Sequence, residues 1–172
     1  MIKYLTVAVA AFVAVFAAVG SVAAGDSFGA RLRGVEEVPS ISTPGQGFFF
    51  ASLNDAETQL DYQLIYFNVP NTVTQSHIHI GQTSVSGGIV LYLCTNLTPP
   101  ANVPAPQSCP NGPGFQSITG SLTASNVFPQ AGQGIAAGAF SDVIRAIKAG
   151  YAYANVHSSA FPSGEIRGQI TH

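Results

Sequence analysis

The chain has 172 residues, 47% hydrophobic and only 8% charged, with a formal net charge of −2. So mild a balance supplies neither the basic footprint that nucleic acid requires nor a polybasic stripe for anionic lipid. Low charge together with 18 Gly and 11 Pro favours a loop-rich β protein over a helical one.

Residues 1–4 carry one cation, Lys3, and residues 5–19 are almost wholly apolar. Ser21-Val22-Ala23-Ala24 then offers the small residues that a signal peptidase reads. This predicts a secretory signal peptide over residues 1–24, cut after Ala24, and one mature domain over 25–172. The apolar run of about 15 residues falls short of the roughly 20 that span a bilayer, which argues against a retained membrane anchor. The mature chain is therefore expected in a secreted, periplasmic or extracellular compartment. Loss of Lys3 leaves it slightly more acidic.

Alternation and turn residues mark the mature elements in order. Residues 28–34 form a strand, and 35–39 break it. Residues 47–53 form a second strand, whose Phe48-Phe49-Phe50 run predicts burial partly on both faces. A hairpin turn at 54–58 leads to a long strand at 59–69. Strands follow at 77–81 and 89–94, separated by Gly87-Gly88. The Pro- and Asn-rich stretch 95–114 reads as an irregular loop, of a length that usually marks function or variability. After a strand at 115–123 and a loop at 126–138, Ser141-Asp142 is predicted to cap a short helix, 143–149, which Gly150 ends. Val143, Ile144 and Ile147 share its apolar face. Strands 151–157 and 165–170 close the chain as a hairpin. Eight strands and one helix in a single domain predict a sandwich or flattened barrel.

Cys94 and Cys109 are the only cysteines. In an exported chain they are expected to form one disulfide stapling the 95–114 loop, worth about 3 kcal/mol in the chain-entropy model. No Cys-x-x-Cys motif or adjacent base points to thiol chemistry.

The histidines carry most of the chemical information. Three of the 4 lie in two strand-like segments, Ser76-His77-Ile78-His79 and Tyr153-Ala154-Asn155-Val156-His157. Strand alternation places His77 and His79 on one face, opposite Ile78 and Ile80, and places Tyr153 and Asn155 on the face of His157. If the strands meet, the three imidazoles form a ligand set for copper or zinc. The competing reading makes them structural, bonded to backbone carbonyls or to Tyr and Asn side chains. Glu165 and Arg167 share a face at i and i+2, and Arg167 is read as half of a structural ion pair pinning the last strand, with Glu165, Glu36 or Glu37 as its carboxylate, rather than as part of an acid–base couple. Gly164 suits a turn and Gly168 a close backbone approach. No nucleophile elbow, phosphate loop or Cys/His dyad is present, so no catalytic constellation is identified and a non-enzymatic module is expected.

Three segments together resemble the CHRD domain, the module repeated in chordin and found alone in exported microbial proteins. They are Leu32-Arg33-Gly34-Val35-Glu36-Glu37-Val38-Pro39, His77-Ile78-His79-Ile80-Gly81 with Gly87-Gly88-Ile89-Val90, and Gly150 to His157 followed by Pro162-Ser163-Gly164-Glu165-Ile166-Arg167-Gly168-Gln169. The closing segment is the most specific, because it matches many positions in order. The resemblance implies an all-β fold, an antiparallel sandwich or flattened Greek-key barrel of immunoglobulin-like or copper/zinc superoxide dismutase-like type. It leaves the cysteine loop unassigned and implies no defined activity.

The leading expectation is an exported binding module holding copper or zinc through His77, His79 and His157. The alternative is an extracellular module with structural histidines, recognising a protein or glycan through its loops. A dismutase-like redox enzyme is disfavoured: it needs a bridging histidine and a zinc carboxylate, and the one remaining histidine, His172, ends the chain.

Overall fold

The structure, a computed structural model, describes residues 25–172. The expected signal peptide lies outside the described residues. Eight strands form one antiparallel sheet: β1 Ser27–Arg33, β2 Gln46–Leu53, β3 Leu60–Phe67, β4 Val73–Ile80, β5 Ile89–Thr95, β6 Gln116–Leu122, β7 Ala152–Ser158 and β8 Ile166–Gln169. Their spatial order is β5-β4-β7-β8-β1-β2-β3-β6. The all-β class, the strand count and the single helix agree with the sequence.

Alternation explains each strand's inner face. In β3, Leu60, Tyr62, Leu64 and Tyr66 are buried while Asp61 and Gln63 face solvent. In β2 the phenylalanine run divides, with Phe49 fully buried and Phe48 and Phe50 turned outward. The sheet curls on itself, because residues far apart in the strand order meet across the core. Tyr62 on β3 donates its hydroxyl to the Leu93 carbonyl on edge strand β5, at 2.7 Å. Burying two tyrosines is tolerable only where each hydroxyl finds a partner, and Tyr66 bonds the Pro110 carbonyl.

The disulfide loop closes the seam between edge strands β5 and β6. Cys94 and Cys109 are bonded as expected. Thr95 of β5 donates its N–H to the Gln107 carbonyl, and the Gln107 side chain reaches the Thr119 carbonyl on β6, each at 2.9 Å. Asn96 and Asn111 hold the loop further, both bonding the Val73 and Cys109 carbonyls.

The helix, α1, spans Phe140–Lys148 and starts one turn earlier than its expected core. Ser141 and Asp142 lie inside its first turn, and Ala139 occupies the cap position without a side-chain bond. Phe140 is the cause: it is buried beside Val143, Ile144 and Ile147, so packing carries the helix past the polar pair. Gly150 follows the helix in the left-handed region, at φ 73°.

Candidate metal centre

β4 lies between β5 and β7, and its two faces have different fates. Ile78 enters the core, while His77 and His79 project from the opposite face. Register then builds the site row by row. His77 stands opposite Asn155 on β7, which stands opposite Arg167 on β8; His79 stands opposite Tyr153, which stands opposite Gln169. His157 pairs with Gln75, which places its ring diagonally beside His77. The structure therefore brings together the three histidines that alternation had put on matching faces.

These imidazoles do not lie on an open surface. His77 is fully buried, and His79 and His157 retain 7% and 5% exposure. The cover comes from the β4–β5 connection, 81–88, and the β7–β8 connection, 159–165. His79 Nδ1 donates to the Gly87 carbonyl and His157 Nδ1 to the Pro162 carbonyl, each at 2.9 Å. The stapled 95–114 loop packs instead along the opposite seam. The β4–β5 cover is tied down from below: Arg167 donates to the carbonyls of Gln82 and Val85, Gln169 to that of Gly81, and the Gly87 N–H bonds the Tyr153 hydroxyl.

These bonds settle the ring protons. A carbonyl only accepts, so Nδ1 carries the hydrogen in His79 and His157, and their Nε2 atoms keep lone pairs. His77 Nδ1 lies 3.2 Å from His157 Nε2 and is the donor of that contact. The Nε2 atoms of His77 and His79 are buried with no partner. Ligand nitrogens of the three rings all fall within 4.8 Å of one another. Bonds of about 2.0–2.1 Å bring imidazole nitrogens to roughly 3.4 Å apart, so closure on an ion needs only a small inward shift. Imidazoles oriented by backbone carbonyls through their outer N–H are the usual second layer of a metal site.

Electrostatics agree with neutral, ligand-ready rings. Burial pulls His77 down to about 2, and repulsion from His157 and His79 adds to it. Burial pulls His79 down to about 4 against the opposing bond to Gly87, and His157 is lowered for the same reason.

Glu165 and Arg167 are not paired, which corrects that choice of partner; of the carboxylates expected for Arg167, Glu37 and Glu36 are the ones whose charge it feels. Glu165 precedes β8 and follows Gly164, whose φ of 131° turns the chain, so strand alternation does not relate the two residues. The Glu165 carboxylate accepts from the Thr43 hydroxyl at 2.6 Å. The Arg167 guanidinium runs the other way, under the β4–β5 connection and 3.4 Å from the centre of the Tyr153 ring. Tyr153 stacks on His79 with ring centres 4.7 Å apart and planes 4° from parallel.

The surroundings of the site add groups that the sequence placed loosely, as it did Glu37 among the candidate partners of Arg167, or not at all. Glu37 is buried, with Oε1 unpartnered, and burial pushes it up to about 7 despite the Arg167 charge nearby. Gly87 and Pro162 act through their carbonyls, which every residue possesses. Tyr92 sets its ring edge-on to His77 at 4.5 Å. The fourth histidine, His172, sits against Phe28, remote in register from the cluster.

The sequence profile of the CHRD domain matches residues 28–170. No curated protein and no solved structure matches the chain. Among the described residues no helix is long and apolar enough to cross a membrane.

Proposed function

The chain belongs to the CHRD domain family, and on that premise we propose that it is an exported, non-enzymatic module that binds one transition-metal ion, copper or zinc, through His77, His79 and His157. One observation carries this reading: three buried neutral imidazoles converge, and two of them have their outer N–H committed to backbone carbonyls. A purely structural histidine needs a partner at each buried nitrogen, yet two Nε2 atoms have none. The ligand set fits copper and zinc alike, since both accept imidazole. The test is metal titration of the purified protein, without a His tag, beside a His77→Ala/His79→Ala variant. Binding of one ion per chain, lost in the variant, is the expected outcome. Equal uptake by both proteins, or by neither, would sink the reading.

A second reading, attachment to an extracellular protein or glycan, draws on the outer face of β2 and β3. Phe48, Phe50, Phe67 and Phe115 make a row of neighbouring rings there, with Phe50 49% and Phe115 76% exposed. Aromatic rings left in water in a contiguous row are typical of recognition surfaces. A Phe50→Ser/Phe115→Ser variant that keeps its metal but no longer retains a ligand held by the parent would support this reading. Unchanged retention would remove it.

A further inference from the structure

We infer, resting on the metal-binding reading above, that this centre is built for monovalent copper rather than for zinc or the cupric ion. The first observation is the donor set. Among the described residues the cluster consists of three neutral imidazoles and includes no carboxylate or thiolate. Two buried carboxylates in this part of the fold, Glu37 and Glu165, each keep an oxygen unpartnered, yet neither belongs to the cluster. Zinc in a closed protein site takes four ligands in a tetrahedron, commonly with anionic donors among them. The cupric ion prefers a tetragonal arrangement with at least one more nitrogen or oxygen. A cuprous ion is satisfied by three nitrogens.

The second observation is the charge already in place. Arg167 is 2% exposed and remains a cation at any physiological pH. Its guanidinium covers one face of the Tyr153 ring, and His79 covers the other, because both approach the ring face-on and cannot share a side. A permanent positive charge therefore stands one aromatic ring away from a ligand. Both Arg167 hydrogen bonds given to the cover end on neutral carbonyls, so neither cancels that charge. Glu37 is the acid that faces Arg167 most directly, and because burial raises it to about 7 it offsets that charge only in part at neutral pH. Each added unit of ionic charge at the centre is repelled by this guanidinium in a medium that screens poorly.

The third observation is seclusion from bulk solvent. The free ring nitrogens of His77 and His79 are out of contact with it, so a fourth ligand for a divalent ion has no open approach from the surface. Low coordination, low charge and a secluded site all favour the same ion.

The experiment is an anaerobic competition titration of the purified, untagged protein with Cu(I), Cu(II) and Zn(II), each against a chelator of known affinity. X-ray absorption then counts the ligands. The expected result is one Cu(I) per chain in three-nitrogen coordination, bound about a hundredfold more tightly than Zn(II), the scale set by one extra unit of charge beside a buried cation. In an Arg167→Gln variant most of that gap closes, whereas Arg167→Lys preserves it. Zinc or Cu(II) binding as tightly as Cu(I) overturns the inference while leaving the metal site standing. Failure of all three ions to bind overturns both. The parent protein alone decides the preference, whether or not the Arg167 variants fold.

Discussion

Gly168 lies where β8 passes β1, and a Cβ there would strike the Arg31 backbone carbonyl. Backbone cannot swing aside as a side chain can, so Gly168→Ala is expected to lower stability by about 2 kcal/mol, read as a shifted urea midpoint. Gly164 is constrained differently: its φ is 131°, and a Cβ would meet the Glu37 carboxylate. The histidines make a pH prediction for the metal-free protein. Their folded values are depressed, so below 6.5 the unfolded chain takes up protons that the folded rings refuse. Stability due to these rings is thus full above that value and falls with pH down to about 4 for His79 and about 2 for His77. Glu37 works in the opposite sense between 4.5 and about 7, because its raised value lets the folded state keep a proton that the unfolded state releases. Three depressed histidines outweigh one raised glutamate. Chelator-treated protein should lose roughly 2 kcal/mol between pH 7 and pH 5. Denaturant midpoints that stay level or rise on acidification would contradict this. At this scale the sequence was informative where period-2 alternation governs, as for His77, His79, Asn155 and His157. It misled at Glu165, which sits just outside the strand that alternation assumed.

The connection between β4 and β5 is an exposed stretch held by side chains from other elements. Beyond Arg167, Gln169 and Tyr153, the Gln133 side chain accepts from the Gly88 N–H at 2.7 Å and donates to the Ile80 carbonyl at 2.9 Å. Gln133→Ala is expected to cost about 1 kcal/mol and to speed amide exchange at Gly88, while exchange in β1, β2 and β3 is unchanged. A general loss of protection would show instead that the glutamine supports the whole fold. Strand positions were legible because polar and apolar residues alternate and Gly, Pro and Asn punctuate them. The start of α1 was not: Ser141-Asp142 resembles a cap, but burial of Phe140 gains more than a polar cap provides. Strand order was equally hidden, since nothing local states that β4 pairs with β7, and without that pairing the three histidines remain strangers in the sequence.

For the whole molecule, one sheet encloses one core, and the closure depends on few bonds. Removing the staple as Cys94→Ser/Cys109→Ser is expected to lower stability by about 3 kcal/mol, measured by thermal unfolding, with the histidine cluster untouched. Lys148 adds a smaller tie, reaching Asp26 and Glu57 at 2.6 Å each from the end of α1. Both acids are largely solvated, so this bridge contributes little. The seam has a further consequence. An edge strand is a template on which another chain can add its own strand, and repetition of that step builds fibrils. Gln107, with the main chain on either side of it, lies across the gap between β5 and β6. A chain whose cysteines are still reduced lacks that anchorage and presents two bare templates. The supply of oxidant to the new chain, more than the quality of the core, then sets how long each molecule can recruit its neighbours.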